Sequence, residues 1–260
     1  MKKTSLFVAL TLITILGTGT ASFAVACSAT SLSSAAGGGV WGIEAYGQGP
    51  SGLVNVLIQA TFSAGGTFSG TEWQSVAGSF SSSSISGTWS IPAPATDCQG
   101  TITVSSPSQH FSFALNNGAE GGVLTQTDLG YTIAGIMASE GKVTCSSSTL
   151  KKKQLSLYSY GQIPAVGGLV TGSGEILFNS TGTAFSTAPT VTLDLGGAGN
   201  FTIPATGTAT IGSNCTGSGT LVATALGQTF DVDLVIVDGG KESYWIVTNA
   251  GDNVTGYFLE

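Results

Sequence analysis

Arginine is missing from this chain, histidine occurs once, and charged residues of all kinds make up only 8% of its 260 positions. Each scarcity excludes something. Phosphate recognition needs basic side chains, so seven lysines against fourteen acids, a formal net charge of −7, exclude nucleic acid as a partner. A Ser-His-Asp or Cys-His centre would have to be built on His110, the single histidine. No cysteine belongs to a C-x-x-C pair and none has His110 near it in sequence, so the spacings of a zinc site are absent. No cofactor motif stands out either. "GGG" at 37–39 and "GGAG" at 196–199 lack the Lys-Ser/Thr of a phosphate loop and read as linker and turn. After residue 16 no apolar run approaches the ~20 residues of a membrane helix, and no helical stripe is evident.

The start of the chain reads as an export signal. Lys2 and Lys3 form a basic region, "LFVALTLITIL" (6–16) an apolar one, and "AVA" (24–26) a small-x-small cleavage site. Residues 1–26 are therefore expected to be a signal peptide of a secreted or periplasmic protein. Removing it leaves five lysines against fourteen acids, near −9. Four cysteines remain: Cys27, Cys98, Cys145 and Cys215. An even number in an exported chain reads as disulfides. An alternative for the first is a lipid, because "AVAC" weakly resembles a lipobox; that would make an outer-membrane lipoprotein anchored through Cys27.

The cysteine spacings, 71 residues from Cys27 to Cys98 and 70 from Cys145 to Cys215, suggest a repeat. "CSATSL" (27–32) matches "CSSSTL" (145–150), and "AYGQ" (45–48) matches "SYGQ" (159–162). "GTWSIPA" (87–93) matches "GNFTIPA" (199–205), and "DCQGTITV" (97–104) matches "NCTGSGTLV" (214–222). "SQHFSFAL" (108–115) matches "GQTFDVDL" (227–234), and "NGAE" (117–120) matches "GGKE" (239–242). All six occur in the same order at offsets of 112 to 122. The chain is thus a duplication, with repeat one over 27–141 and repeat two over 142–260. Each unit should carry its own bond, Cys27–Cys98 and Cys145–Cys215. The lysine cluster 151–153 reads as solvated linker. The pattern resembles a family of exported bacterial β-proteins of unknown function, with "YG" near the first strand, a D/N-C-x-G-T motif and a G-G-K-E turn. The resemblance covers nearly the whole mature chain and implies a fold but no chemistry. Repeat one departs from it at Ala119, where the turn has lysine in repeat two.

The local period is two. Val54, Val56, Ile58, Ala60 and Phe62 share one face of "GLVNVLIQATFS" (52–63). Phe230, Val232, Leu234 and Ile236 alternate with Asp231 and Asp233 in "TFDVDLVIV" (229–237). Turn residues punctuate such runs about every ten positions. Eight strands are predicted in repeat one, starting near Val40, Gly52, Thr67, Ile85, Thr101, His110, Gly121 and Tyr131. The expected fold is all-β: two tandem antiparallel eight-stranded barrels, closed to remove sheet edges. A β-sandwich repeat is the alternative, since Cys27, Trp41 and Cys98 mimic an immunoglobulin spacing. It fits poorly, with no strand before Cys27 and at least three after Cys98. A single sixteen-stranded outer-membrane barrel would need aromatic girdles that 8% aromatic content does not supply.

Catalytic candidates are sparse. His110 is expected on a solvated strand face, opposite Phe111 and Phe113. Glu120 and Glu242 are the carboxylates kept at matching positions, each after a glycine turn, but neither has a visible partner. Asp231, Asp233, Asp238 and Asp252 form a loose group without the D-x-D-x-D-G form of a calcium loop. No catalytic, metal or cofactor residue is therefore assigned. The expected function is a secreted or cell-envelope binding or surface module without catalysis, its partner a small apolar ligand, a glycan or a surface protein. A purely structural extracellular component is the alternative, and a barrel-lumen isomerase or cyclase using one buried acid a more distant one. Repeat two has Val232 where repeat one has Phe113, so its lumen is expected to be the more open, with Trp245 at the rim.

Overall fold

The computed structural model describes residues 27–28, 30–92, 98–116, 120–164, 168–186, 190–196 and 199–260. The expected signal peptide and Ala119 lie outside them. Sixteen strands occur among the described residues. Repeat one supplies β1 (Val40–Gly49), β2 (Gly52–Ser63), β3 (Thr67–Val76), β4 (Ser79–Ser90), β5 (Gln99–Ser105), β6 (Ser108–Leu115), β7 (Gly121–Gln126) and β8 (Thr132–Ser139). Repeat two supplies β9 (Gln154–Ile163), β10 (Gly168–Leu177), β11 (Thr190–Asp194), β12 (Asn200–Ile211), β13 (Thr216–Ala223), β14 (Gln228–Val237), β15 (Glu242–Val247) and β16 (Asn253–Leu259). Within each repeat every strand pairs antiparallel with its chain neighbours, and β1 with β8 and β9 with β16 close two eight-stranded barrels. No strand is shared between them, and closure excludes the sandwich.

Period-two alternation becomes inside and outside of a barrel. Val54, Val56, Ile58, Ala60 and Phe62 of β2 all point into the first lumen, and Phe230, Val232, Leu234 and Ile236 of β14 into the second. Each such side chain contributes roughly 1.5–3 kcal/mol by leaving water. β4 starts earlier than the sequence suggests. The serines at 81–84 carry no apolar alternation, but Ala77 and Gly78, at φ 50° and 83°, form a tight two-residue turn that hands Val76 directly to Ser79.

One end of each barrel is stoppered by the segment that precedes its first strand. In barrel one Leu32 is fully buried on a single-turn helix, and the Trp41 indole N–H donates to its carbonyl at 2.9 Å. The Cys27–Cys98 disulfide ties this stopper to the start of β5. In barrel two Leu150, ahead of β9, does the same work beside the Cys145–Cys215 disulfide, and Phe178, directly after β10, is buried in the same core. The opposite ends, at the β1–β2, β3–β4, β5–β6 and β7–β8 turns and their counterparts, carry no such plug among the described residues.

The barrels lie side by side with their open ends on the same side. At the open ends Gly251 N–H donates to the Gly78 carbonyl (2.8 Å), Ser75 Oγ to that of Asp252 (3.1 Å) and Asn253 Nδ2 to that of Leu53 (2.7 Å). At the stoppered ends Gly239 N–H donates to the Glu140 carbonyl at 2.9 Å. Between these ties runs an apolar seam of Leu57 and Ala138 against Val235, Val237, Tyr244 and Ile246. Gly42 marks its closest approach: a Cβ there would stand 2.5 Å from Val237 Cγ1.

Candidate functional site

The open end of barrel one holds a cavity of about 70 Å³. Its floor and one wall are apolar: Ile43, Val56, Ile58, Phe111, Leu124 and Ile133. Its rim carries Ser51, Gln74, Gln109, Gln126 and Tyr131. The glutamines are inside because of register. Gln74 pairs with Val56, Gln109 with Val104 and Gln126 with Phe111, each an inward residue. One step deeper on β3, Glu72 pairs with Ile58 and so faces the same lumen. It is 2% exposed, and its Oε2 has no hydrogen-bond partner. Burial pushes its carboxyl above the usual range.

Barrel two provides an internal control. Its register places Val191 opposite Gly174 and Leu193 opposite Gly172, the positions equivalent to Glu72 opposite Ile58 and Gln74 opposite Val56. Val191 and Leu193 line a cavity of about 40 Å³ whose other walls include Ile163, Ala223, Phe230 and Val254. The fold therefore accepts aliphatics where barrel one has a glutamate and a glutamine. The second lumen is the smaller, contrary to the sequence expectation. Trp245, expected at the rim, is 2% exposed inside it and stacks on Phe258, filling the space that Val232 leaves. Its Nε1 has no partner.

A second polar cluster lies in the seam. Glu44 projects outward from β1 and is 2% exposed. Burial pushes its carboxyl up to about 7, against the opposing effect of hydrogen bonds from Tyr160 and Thr255. Tyr46, Tyr160, Tyr158 and Tyr257 follow one another at ring separations of 3.7, 5.7 and 5.2 Å. Glu242 also rises to about 7, through burial and then the charges of Asp238 and Glu44. None of these groups lines either lumen cavity.

No protein-family profile matches this chain, and no curated sequence does. Among solved structures, kievitone hydratase from Nectria haematococca is similar with a TM-score of 0.30 and 9% identity, over 91% of this chain and 92% of that one. A putative AttH from Nitrosomonas europaea gives 0.29 and 8%, over 85% and 91%. A porin-like protein from Bacteroides uniformis gives 0.23 and 9%, over 90% and 98%. Likeness at this distance transfers no site and no activity.

The residues singled out in the sequence are scattered. His110 sits on the outer face of β6, with its Nδ1 2.7 Å from Asp128, whose carboxyl hydrogen bonds from Gln126 and His110 lower to about 2. Glu120 is exposed, whereas Glu242 is half-buried in the seam. Duplication placed one position in two environments, because β15 faces the other barrel and β7 does not. Lys241 is exposed and 3.8 Å from Asp238. Asp231 and Asp233 point out from β14, and burial raises Asp233 and Asp252. Among the described residues no three His, Cys, Asp or Glu side chains come together as a metal-ligand set. Glu72 was missed, although "TFSGTEWQSV" shows it: alternation from Phe68 through Val76 puts Glu72 and Gln74 on the apolar face.

Proposed function

We propose that this protein is an exported binding module that takes a small ligand with an apolar body and a polar head into the open end of barrel one. The observation that carries this reading is the cavity there: an apolar floor and a rim of convergent amides, with Gln74 on that rim and Glu72 one step deeper standing where the twin barrel has Leu193 and Val191. Small-molecule sites have this composition. Two disulfides fit an oxidising compartment, extracellular or periplasmic. The Cys27–Cys98 bond also occupies the sulfur that a lipid anchor would need. No helix among the described residues is long and apolar enough to cross a membrane.

The test is uptake of a neutral environment-sensitive dye by the mature chain. Val56→Trp should fill the first lumen and abolish saturable uptake, while Val170→Trp, in the second, should leave it unchanged. Uptake insensitive to Val56→Trp, in variants that melt like the parent, would refute the reading. One observation favours an enzymatic alternative, a lumen isomerase or cyclase, since Glu72 is the single buried acid it requires. Binding without turnover is preferred because the residues lining this cavity include no carboxylate and no histidine, Glu72 standing beside Ile58 and Gln74 rather than in the wall itself.

A further inference from the structure

Glu72 is a carboxylate inside a barrel with nothing to pair with. Its neighbours across the sheet and along the strand, Ile58 and Gln74, line the cavity, and its own Oε2 makes no hydrogen bond. Leaving a buried acceptor unsatisfied costs about 1–3 kcal/mol, and more for a charged one. Nothing in the fold demands that cost, because Val191 occupies the equivalent place in barrel two and packs there. The ion pairs among the described residues are His110–Asp128, Lys153–Glu260 and Lys241–Asp238, all outside the lumen. The chain has no arginine to send in.

The surrounding polar groups lean the same way. Gln126 donates one of its two amide N–H groups to Asp128 at 2.9 Å, which anchors the amide and leaves its oxygen able to accept from a ligand. Gln74 and Gln109 add two more amide oxygens at the rim. The cavity therefore has amide carbonyl acceptors at its rim, aliphatic and aromatic walls, and a buried carboxylate directly beside two of its lining residues, Ile58 and Gln74. An ammonium brings a positive charge and three N–H donors, which match that set. A net charge of −7 on the whole chain favours the approach of cations.

We infer that the ligand of barrel one is a small primary amine, its ammonium held by Glu72 and the glutamine oxygens and its apolar body lying against Leu124 and Ile133. This rests on the binding-module reading and narrows it. The cavity, about 70 Å³, suits a body clearly smaller than a benzene ring, about two or three carbons, since it takes a dry cavity of ~150 Å³ to hold benzene.

The experiment is calorimetric titration of the full mature chain with propylamine, 1-propanol and propionate at low salt and pH 8. Propylamine should bind at least tenfold tighter than 1-propanol, with propionate weaker than both. Glu72→Gln should erase the preference for the amine while keeping the alcohol. Glu72→Val, which copies barrel two, should do the same and guards against a folding defect confined to the first variant. Propylamine affinity should also fall as pH is lowered and Glu72 takes up its proton. Equal binding of amine and alcohol, or an amine preference that survives both Glu72 variants, would overturn the inference while leaving the binding module standing. No binding of any of the three, together with no dye uptake, would sink both.

Discussion

Glu44 leaves water on folding without gaining a cation, and the seam responds to pH accordingly. Its carboxyl ionises near 4.5 when unfolded and near 7 in the fold, so the folded state holds the proton more tightly. A raised folded-state value means that stability is complete below pH 4.5 and drains away as pH rises through 7. The difference is worth about 3 kcal/mol. Melting of residues 27–260 should therefore fall by roughly 5–10 °C between pH 4.5 and 8, and Glu44→Gln should flatten most of that slope. A slope unchanged in Glu44→Gln would assign the effect to other groups, Glu242 first. Trp245 supports a separate expectation. Its indole N–H is buried without a partner, so Trp245→Phe exchanges an unsatisfied donor for a modest loss of volume. Urea unfolding should place it within about 1 kcal/mol of the parent, whereas Trp245→Ala should cost ~3–5 kcal/mol.

The stoppers are the elements whose removal should be felt most locally. Each disulfide closes a loop of about 70 residues, for which the chain-entropy account gives ~4 kcal/mol. The double variant Cys145→Ser/Cys215→Ser should lose about that much and should expose the amides around Leu150 to hydrogen exchange before those of β9 and β14. Uniform exchange across the barrel would mean that the stopper and the sheet open together. Strands were the most legible elements in the sequence, because an apolar lumen and a wet exterior impose period two on every one of them. β4 was misplaced where that pattern lapses into serine. The stoppers were legible only through the repeated cysteine spacing. The seam was hidden, because strands such as β15 are apolar on both faces. Ser243, Tyr244, Trp245, Ile246 and Val247 are all buried, and alternation cannot show which face meets a lumen and which a second barrel. Glu72 was hidden differently: its alternation was plain, but its position mattered only once Val191 was seen in the equivalent place.

The two barrels form one molecule through a seam that is apolar around Leu57, Val235 and Ile246 and polar around Glu44. Gly42 permits the contact, and Gly42→Val would drive a methyl into Val237. This should lower the melting temperature and separate one transition into two in calorimetry; a single unshifted transition would show that the seam adapts. Repeat two alone, residues 142–260, should keep its β-rich circular dichroism, since it closes its own sheet. With Val235, Tyr244 and Ile246 uncovered, it should also self-associate in size-exclusion chromatography with light scattering. A monodisperse monomer would mean that this face tolerates water.

The common orientation of the barrels has a practical corollary. Cys27 and Glu260 both lie at the stoppered side, where β5 begins and β16 ends. A linker to a bead, a sensor chip or a cell wall attached at either residue would hold the molecule by its closed end. Both mouths would then look outward into the bulk phase, like two cups on one tray.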